Sequence, residues 1–154
     1  MNTLLLTPEE AALKELGVAC QSASRYYETA TEVAEDRWRD FAARRSTAYA
    51  AAAQRIAEIL RRDELLPGTP DADMEWLKQL ALKAQAALSG DEAGSLLKSF
   101  KRAEYKVWDA LGELGLAGLG PGCADMAESL ADLVMEGFLW LGEENEAFLK
   151  EGGN

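Results

Sequence analysis

The residue types able to do chemistry are restricted by one absence: the 154 residues include no histidine. That removes both the side chain that titrates nearest neutral pH and the commonest metal ligand. Ser-His-Asp and Cys-His nucleophile systems are excluded, as is the Glu-x-x-His arrangement that holds iron in helical bundles. Carboxylate chemistry is what remains. Two charges stand on otherwise apolar helical stripes, Glu104 between Phe100 and Leu111, and Arg45 between Phe41 and Tyr49. An isolated buried charge costs several kcal/mol, whereas a paired and hydrogen-bonded one can be held. A buried ion pair between Arg45 and Glu104 is therefore expected, joined by Glu28 beside Tyr27. The competing reading leaves both heads solvated at the rim, with their stems covering core. A different use of the same acids is a metal site of carboxylates only, Glu28, Glu104 and Glu136, whose oxygen ligands suit Mn, Mg or Fe rather than zinc. Against it, Glu136 falls on the outer, acidic face of the last helix.

Other chemistry-bearing residues have duller readings. Cys20 and Cys123 fall on apolar helical positions, which predicts small buried hydrophobes and not a disulfide or metal pair. "GLAGLGPG" (115–122) resembles a phosphate loop only in composition. It follows a helix and lacks a lysine, so a helix-to-helix hinge is expected. The alanine run 50–53 offers small side chains against which a neighbouring helix can pack.

The elements that must position these residues are helices. Thr7, Pro8 and Glu10 form a capping signature for a first long helix over 8–35, with Leu13, Leu16, Cys20, Ala23, Tyr27, Ala30 and Ala34 at alternating steps of three and four. A second helix over 37–64 follows a short break, with Trp38, Phe41, Arg45, Ala48, Tyr49, Ala52, Ile56, Ile59 and Leu60 on its stripe. "LLPGTP" ends it, and a shorter helix is expected over 70–89. A third long helix over 91–116 turns Leu96, Leu97, Phe100, Ala103, Glu104, Val107, Leu111 and Leu114 inward. A fourth over 121–149 carries Cys123, Met126, Leu130, Val134, Phe138 and Leu141. Period-2 alternation is absent. The reading is a single all-α domain over 1–154, a four-helix bundle whose crossover between the second and third long helices carries the extra helix, as in ferritin-like topologies. Trp76, Trp108 and Trp140 lie near stripe edges, which would suit a dimer face.

A formal charge of −11 argues against nucleic acid and anionic membrane surfaces. Apolar runs are broken well before the roughly 18 residues a membrane span needs, and the opening "MNTLLLTPEE" lacks a basic region and cleavage site, so a cytoplasmic location is expected. The charge is uneven. Residues 121–154 carry eight acids against one base, whereas 37–62 hold seven arginines. Such helices suit neighbours within one bundle or partners across a homodimer, and another protein is the other partner expected.

The "YYETATE" of the first helix, the "PGTPDADMEWLKQLALKAQAALSGDE" of the crossover and the "FKRAEYKVWDAL" of the third long helix together resemble the bacterial ferritin-like bundles grouped as domain of unknown function 2383, over roughly residues 14–140. The resemblance implies the ferritin-like fold. Family members show Glu-Arg-Gly-Glu-Asp in the third helix; Arg102 and Glu104 match it, while Lys101, Ala103 and Tyr105 depart. Where the family's second helix places a glutamate three residues after an aromatic, Tyr49 is followed by Ala52, and the family's histidine in the last helix is missing. These departures imply no cofactor and no intact di-iron site. The expected function is a non-enzymatic bundle with an interaction or stress-related structural role, Arg45 taking the charge role of a metal. A pocket for a small apolar ligand is the third possibility.

Overall fold

A computed structural model describes residues 6–62 and 93–151, and every regular element among them is a helix. Helix α1 spans Pro8–Thr31, α2 Asp36–Arg62, α3 Ala93–Ala117 and α4 Pro121–Lys150. The crossover helix expected over 70–89, with Trp76, lies outside the described residues.

The N-terminus of α1 closes as its residues dictate. The Glu10 amide donates to Thr7 Oγ1 at 3.1 Å, the Thr7 amide donates to Glu10 Oε1 at 2.8 Å, and Pro8 occupies the first turn, where no amide hydrogen is needed. The helix stops at Thr31, four residues short of the expected boundary. Arg39 of α2 reaches back to accomplish this, donating from Nε to the Thr31 carbonyl at 3.1 Å and from Nη2 to the Ala34 carbonyl at 3.0 Å. Carbonyls left without a helical partner are thus satisfied, and the chain reverses within four residues. At the other reversal Gly118, with φ of +101°, supplies the left-handed conformation that ends α3 before Pro121 opens α4.

Each helix has two neighbours, so that the order around the bundle is α1, α2, α4, α3. Directions follow from contacts. Ser24 and Ser46 hydroxyls donate to each other's backbone carbonyls at 2.8 and 2.9 Å, while Gly17 stands against Ile56, making α1 and α2 antiparallel. Tyr27 meets Phe100 near the start of α3, and Glu9 meets Cys123 at the start of α4. Arg37 near the start of α2 contacts Glu144 and Glu151 near the end of α4. The helices therefore run up, down, down, up.

All the stripe residues expected at the first helix are buried, and those of α3 and α4 are buried save for the half-buried Leu111 and Phe138. The alanine run is a partial exception. Ala53 is buried and Ala52 half-buried, but Ala50 and Ala51 are exposed, because α2 and α4 diverge there around an open groove of about 270 Å³. Trp140 is half-buried at the edge of its stripe and is covered within the bundle, its ring stacking on Phe41 at 3.7 Å between centroids. The basic α2 and acidic α4 are neighbours inside one bundle: Arg37 Nε lies 3.3 Å from Glu144 Oε1, which also accepts from Trp38 Nε1 at 2.6 Å.

Candidate functional site

The bundle centre holds two charges that meet. Glu104 is fully buried and Arg45 is 4% exposed. Arg45 Nη2 donates to Glu104 Oε1 at 2.5 Å, and its Nε donates to Oε2 at 3.2 Å, so two neighbouring guanidinium nitrogens face the two carboxylate oxygens. Tyr49 donates to Oε1 at 2.5 Å and Tyr27 to Oε2, also at 2.5 Å. Each oxygen thus accepts two hydrogen bonds, which fills the acceptor positions of an ionised carboxylate. Arg45 Nη2 also donates to the Leu133 carbonyl at 2.8 Å. All four helices take part: Tyr27 from α1, Arg45 and Tyr49 from α2, Glu104 from α3 and the Leu133 carbonyl from α4.

Spacing explains the convergence. Arg45 and Tyr49 are four residues apart on α2, one turn along the same face, so the ring of Tyr49 lies 5.1 Å from the guanidinium while Phe41 covers its other side at 5.6 Å. Tyr27 stacks nearly parallel to Tyr49 with centroids 6.2 Å apart. α4 can close over the pair only because position 137 lacks a side chain. A Cβ there would sit 2.6 Å from Arg45 Nη2 and 2.7 Å from Glu104 Oε1. Gly137→Ala is therefore expected to destabilise by about 1–3 kcal/mol despite alanine's better helical propensity, read as a lower urea midpoint at unchanged slope.

The electrostatics are those of a closed, neutral cluster. Burial works most strongly against the charged guanidinium, but the Glu104 carboxylate, together with Tyr49 and Tyr27, holds the Arg45 pKa above its ordinary value. Burial, reinforced by the negative charge of Glu104, pushes both Tyr27 and Tyr49 well above the usual phenol range, so both remain donors. The same two influences push the Cys20 thiol up to about 12, leaving it inert as a nucleophile at neutral pH. Both cysteines are buried and unbridged.

Glu28 and Glu136 are not part of this cluster. Both are exposed. On α1 the inward position is Tyr27, and the next residue lies 100° around the helix, so Glu28 points outward and the phenol takes the place expected for a second carboxylate. Among the described residues no group of three or more His, Cys, Asp or Glu side chains is placed to hold a metal ion. The two tyrosines and Gly137 are the members that stripe reasoning does not single out. Their signal lies in register: Tyr27 and Tyr49 share stripes with the charges, and 130, 134, 137 and 141 continue the inward spacing of α4 better than Phe138 does.

The groove between α2 and α4 touches the cluster only at Leu133. A cleft of about 530 Å³ runs between α3 and α4 past Lys101, Tyr105 and Phe138, and none of its lining residues belongs to the cluster. No protein-family model, curated protein or solved structure matches the chain.

Proposed function

We propose that this chain is a ferritin-like helical bundle without a di-iron site, non-enzymatic, in which a fixed guanidinium holds the bundle centre where a metal would otherwise stand. Its role on this reading is structural, exercised through protein contacts as a homodimer or with another protein, in a stress-related or similar setting and in the cytoplasm. The up, down, down, up course of the helices supports the topology, since it requires one long connection between α2 and α3. The saturation of Glu104 carries the metal-free, non-enzymatic part of the reading. A carboxylate whose two oxygens accept four hydrogen bonds, two from a cation, has no lone pair to offer a metal, and its full burial gives a substrate no approach. Repulsion by a net charge of −11 counts against nucleic acid and anionic lipid as partners.

Metal content and thermal stability test this reading together. Protein purified without chelator is expected to contain well under one equivalent of Mn or Fe, and its thermal midpoint to stay unchanged with chelator or added Mn²⁺. A ligand held at a hundred times its Kd would instead add about 2.7 kcal/mol. Stoichiometric metal lost on Glu104→Gln would replace the proposal with the carboxylate-only metal site of Glu28, Glu104 and Glu136.

A further inference from the structure

The outer face shared by α3 and α4 is more apolar than anything inside the bundle requires. Tyr105, Trp108, Met135 and Leu139 are large and exposed there, Leu139 at 66%. Phe138 joins them into one aromatic group, its ring 4.8 Å from Tyr105 and 6.4 Å from Trp108. The seam is also unusually smooth. Gly112 and Gly142 are exposed helical glycines, and a Cβ on either would meet nothing within 4 Å. Each costs about 1 kcal/mol of helix stability relative to alanine, with no packing among the described residues to account for it. An approaching helix from outside would account for both the exposed rings and the missing side chains.

We propose that this face is where a second copy of the chain docks, with the two-fold axis parallel to the bundle axis and α3 of each copy lying over α4 of the other. The proposal deepens the homodimer reading above and rests on it. Charge supports this arrangement. Lys98 and Lys101 of α3 stand at the same height as Gly142 and Asn145 of α4, since all four line one cleft. A two-fold along the bundle axis keeps heights and exchanges helices, so Lys98 and Lys101 come to face the partner's Glu143 and the partner's Glu146. In this copy both glutamates are exposed, Glu146 having only a loose surface contact with Lys150 at 3.8 Å. The two-fold across the bundle would instead set the lysines against the end of the partner's α3, where Asp109 and Glu113 are exposed, so reversing Glu143 and Glu146 in the test below decides between the two axes. The area is adequate. Two adjacent helices of about 37 Å length and 10 Å width present roughly 700 Å² per copy, close to the ~800 Å² of a stable interface.

Solution mass, measured by light scattering after gel filtration at about 0.15 M salt, where surface repulsion is screened beyond about 8 Å, tests the proposal. The wild-type chain is expected at twice its 16.7 kDa. Leu139→Glu should raise the dimer Kd about thirtyfold, as loss of a central apolar anchor does, with the helical circular dichroism and thermal midpoint of the monomer unchanged. Lys98→Glu with Lys101→Glu should weaken the dimer, and mixing that variant with Glu143→Lys/Glu146→Lys should restore a heterodimer in native mass spectrometry. A monomeric wild type overturns the proposal, as does a dimer indifferent to Leu139→Glu, which would place the contact on another face. A monomer that Leu139→Glu destabilises also overturns it, by showing that the chain's own residues cover the face. None of these outcomes touches the metal-free core, which is read from metal content.

Discussion

Glu104→Gln should lower the thermal midpoint by about 10 °C or more, the largest effect expected of any single substitution in the described residues. The change is nearly isosteric, so packing is not the cause. It removes the only carboxylate among the described residues within reach of a guanidinium that is 4% exposed, and it sets a side-chain NH2 among groups that are already donors. Breaking a buried ion pair from one side costs about 3–5 kcal/mol, and a domain of this size loses about 2–4 °C per kcal/mol. Removing both charges should cost less than the two single losses added together. In Arg45→Met/Glu104→Met no charge is left buried, and only the tyrosine hydroxyls lose an acceptor. Urea unfolding of the four proteins of this cycle measures the coupling. A Glu104→Gln loss under about 1 kcal/mol would mean that the carboxylate is not serving as the counter-charge of Arg45.

Alkaline pH should unfold the protein steeply. Burial, with Glu104 adding its charge, raises Tyr26, Tyr27 and Tyr49 above the ordinary value of 10.0 and Cys20 from 9.0 to about 12. In each case the folded form holds its proton more tightly than the unfolded one. The stabilisation is therefore complete below pH 9, and the unfolded chain begins to shed protons first, at Cys20 and then at the tyrosines. Above pH 10 up to four groups contribute, each lowering stability by about 1.4 kcal/mol per pH unit, so most of the stability should be lost by about pH 12. The tyrosinate absorbance of the three buried phenols, read near 295 nm in a Tyr105→Phe background because Tyr105 is exposed, and the helical circular dichroism are expected to change together as one transition. Titration of these phenols with the helices intact would contradict the closed cluster.

The two effects have a common source that sequence reading reaches only partly. Arg45 and Glu104 are conspicuous because charges at apolar positions on amphipathic stripes must be either paired or solvated at a rim, and the stripe shows where each points. It does not show height. Whether the two meet depends on how α2 and α3 slide along α1 and α4, and on α4 coming close enough for Leu133 to offer its carbonyl. Glu28 illustrates the limit from the other side. One residue separates it from Tyr27, and a rotation of 100° decides between a buried phenol and a solvated acid.

Helical class, the capped start at Thr7, the turn around Gly118 and nearly all of the buried stripe were determined by the sequence alone. Those features rest on local energetics: a side-chain oxygen within three residues of a free amide, a glycine where φ is positive, and apolar spacing near 3.6. Only the tertiary structure decided that Tyr27 and Tyr49 serve the carboxylate, that Gly137 is the hole through which α4 approaches, and that an aromatic face along α3 and α4 stays uncovered by the described chain. Each is a matter of distance between segments far apart in sequence, and pattern along one helix carries no information about the axial position of another.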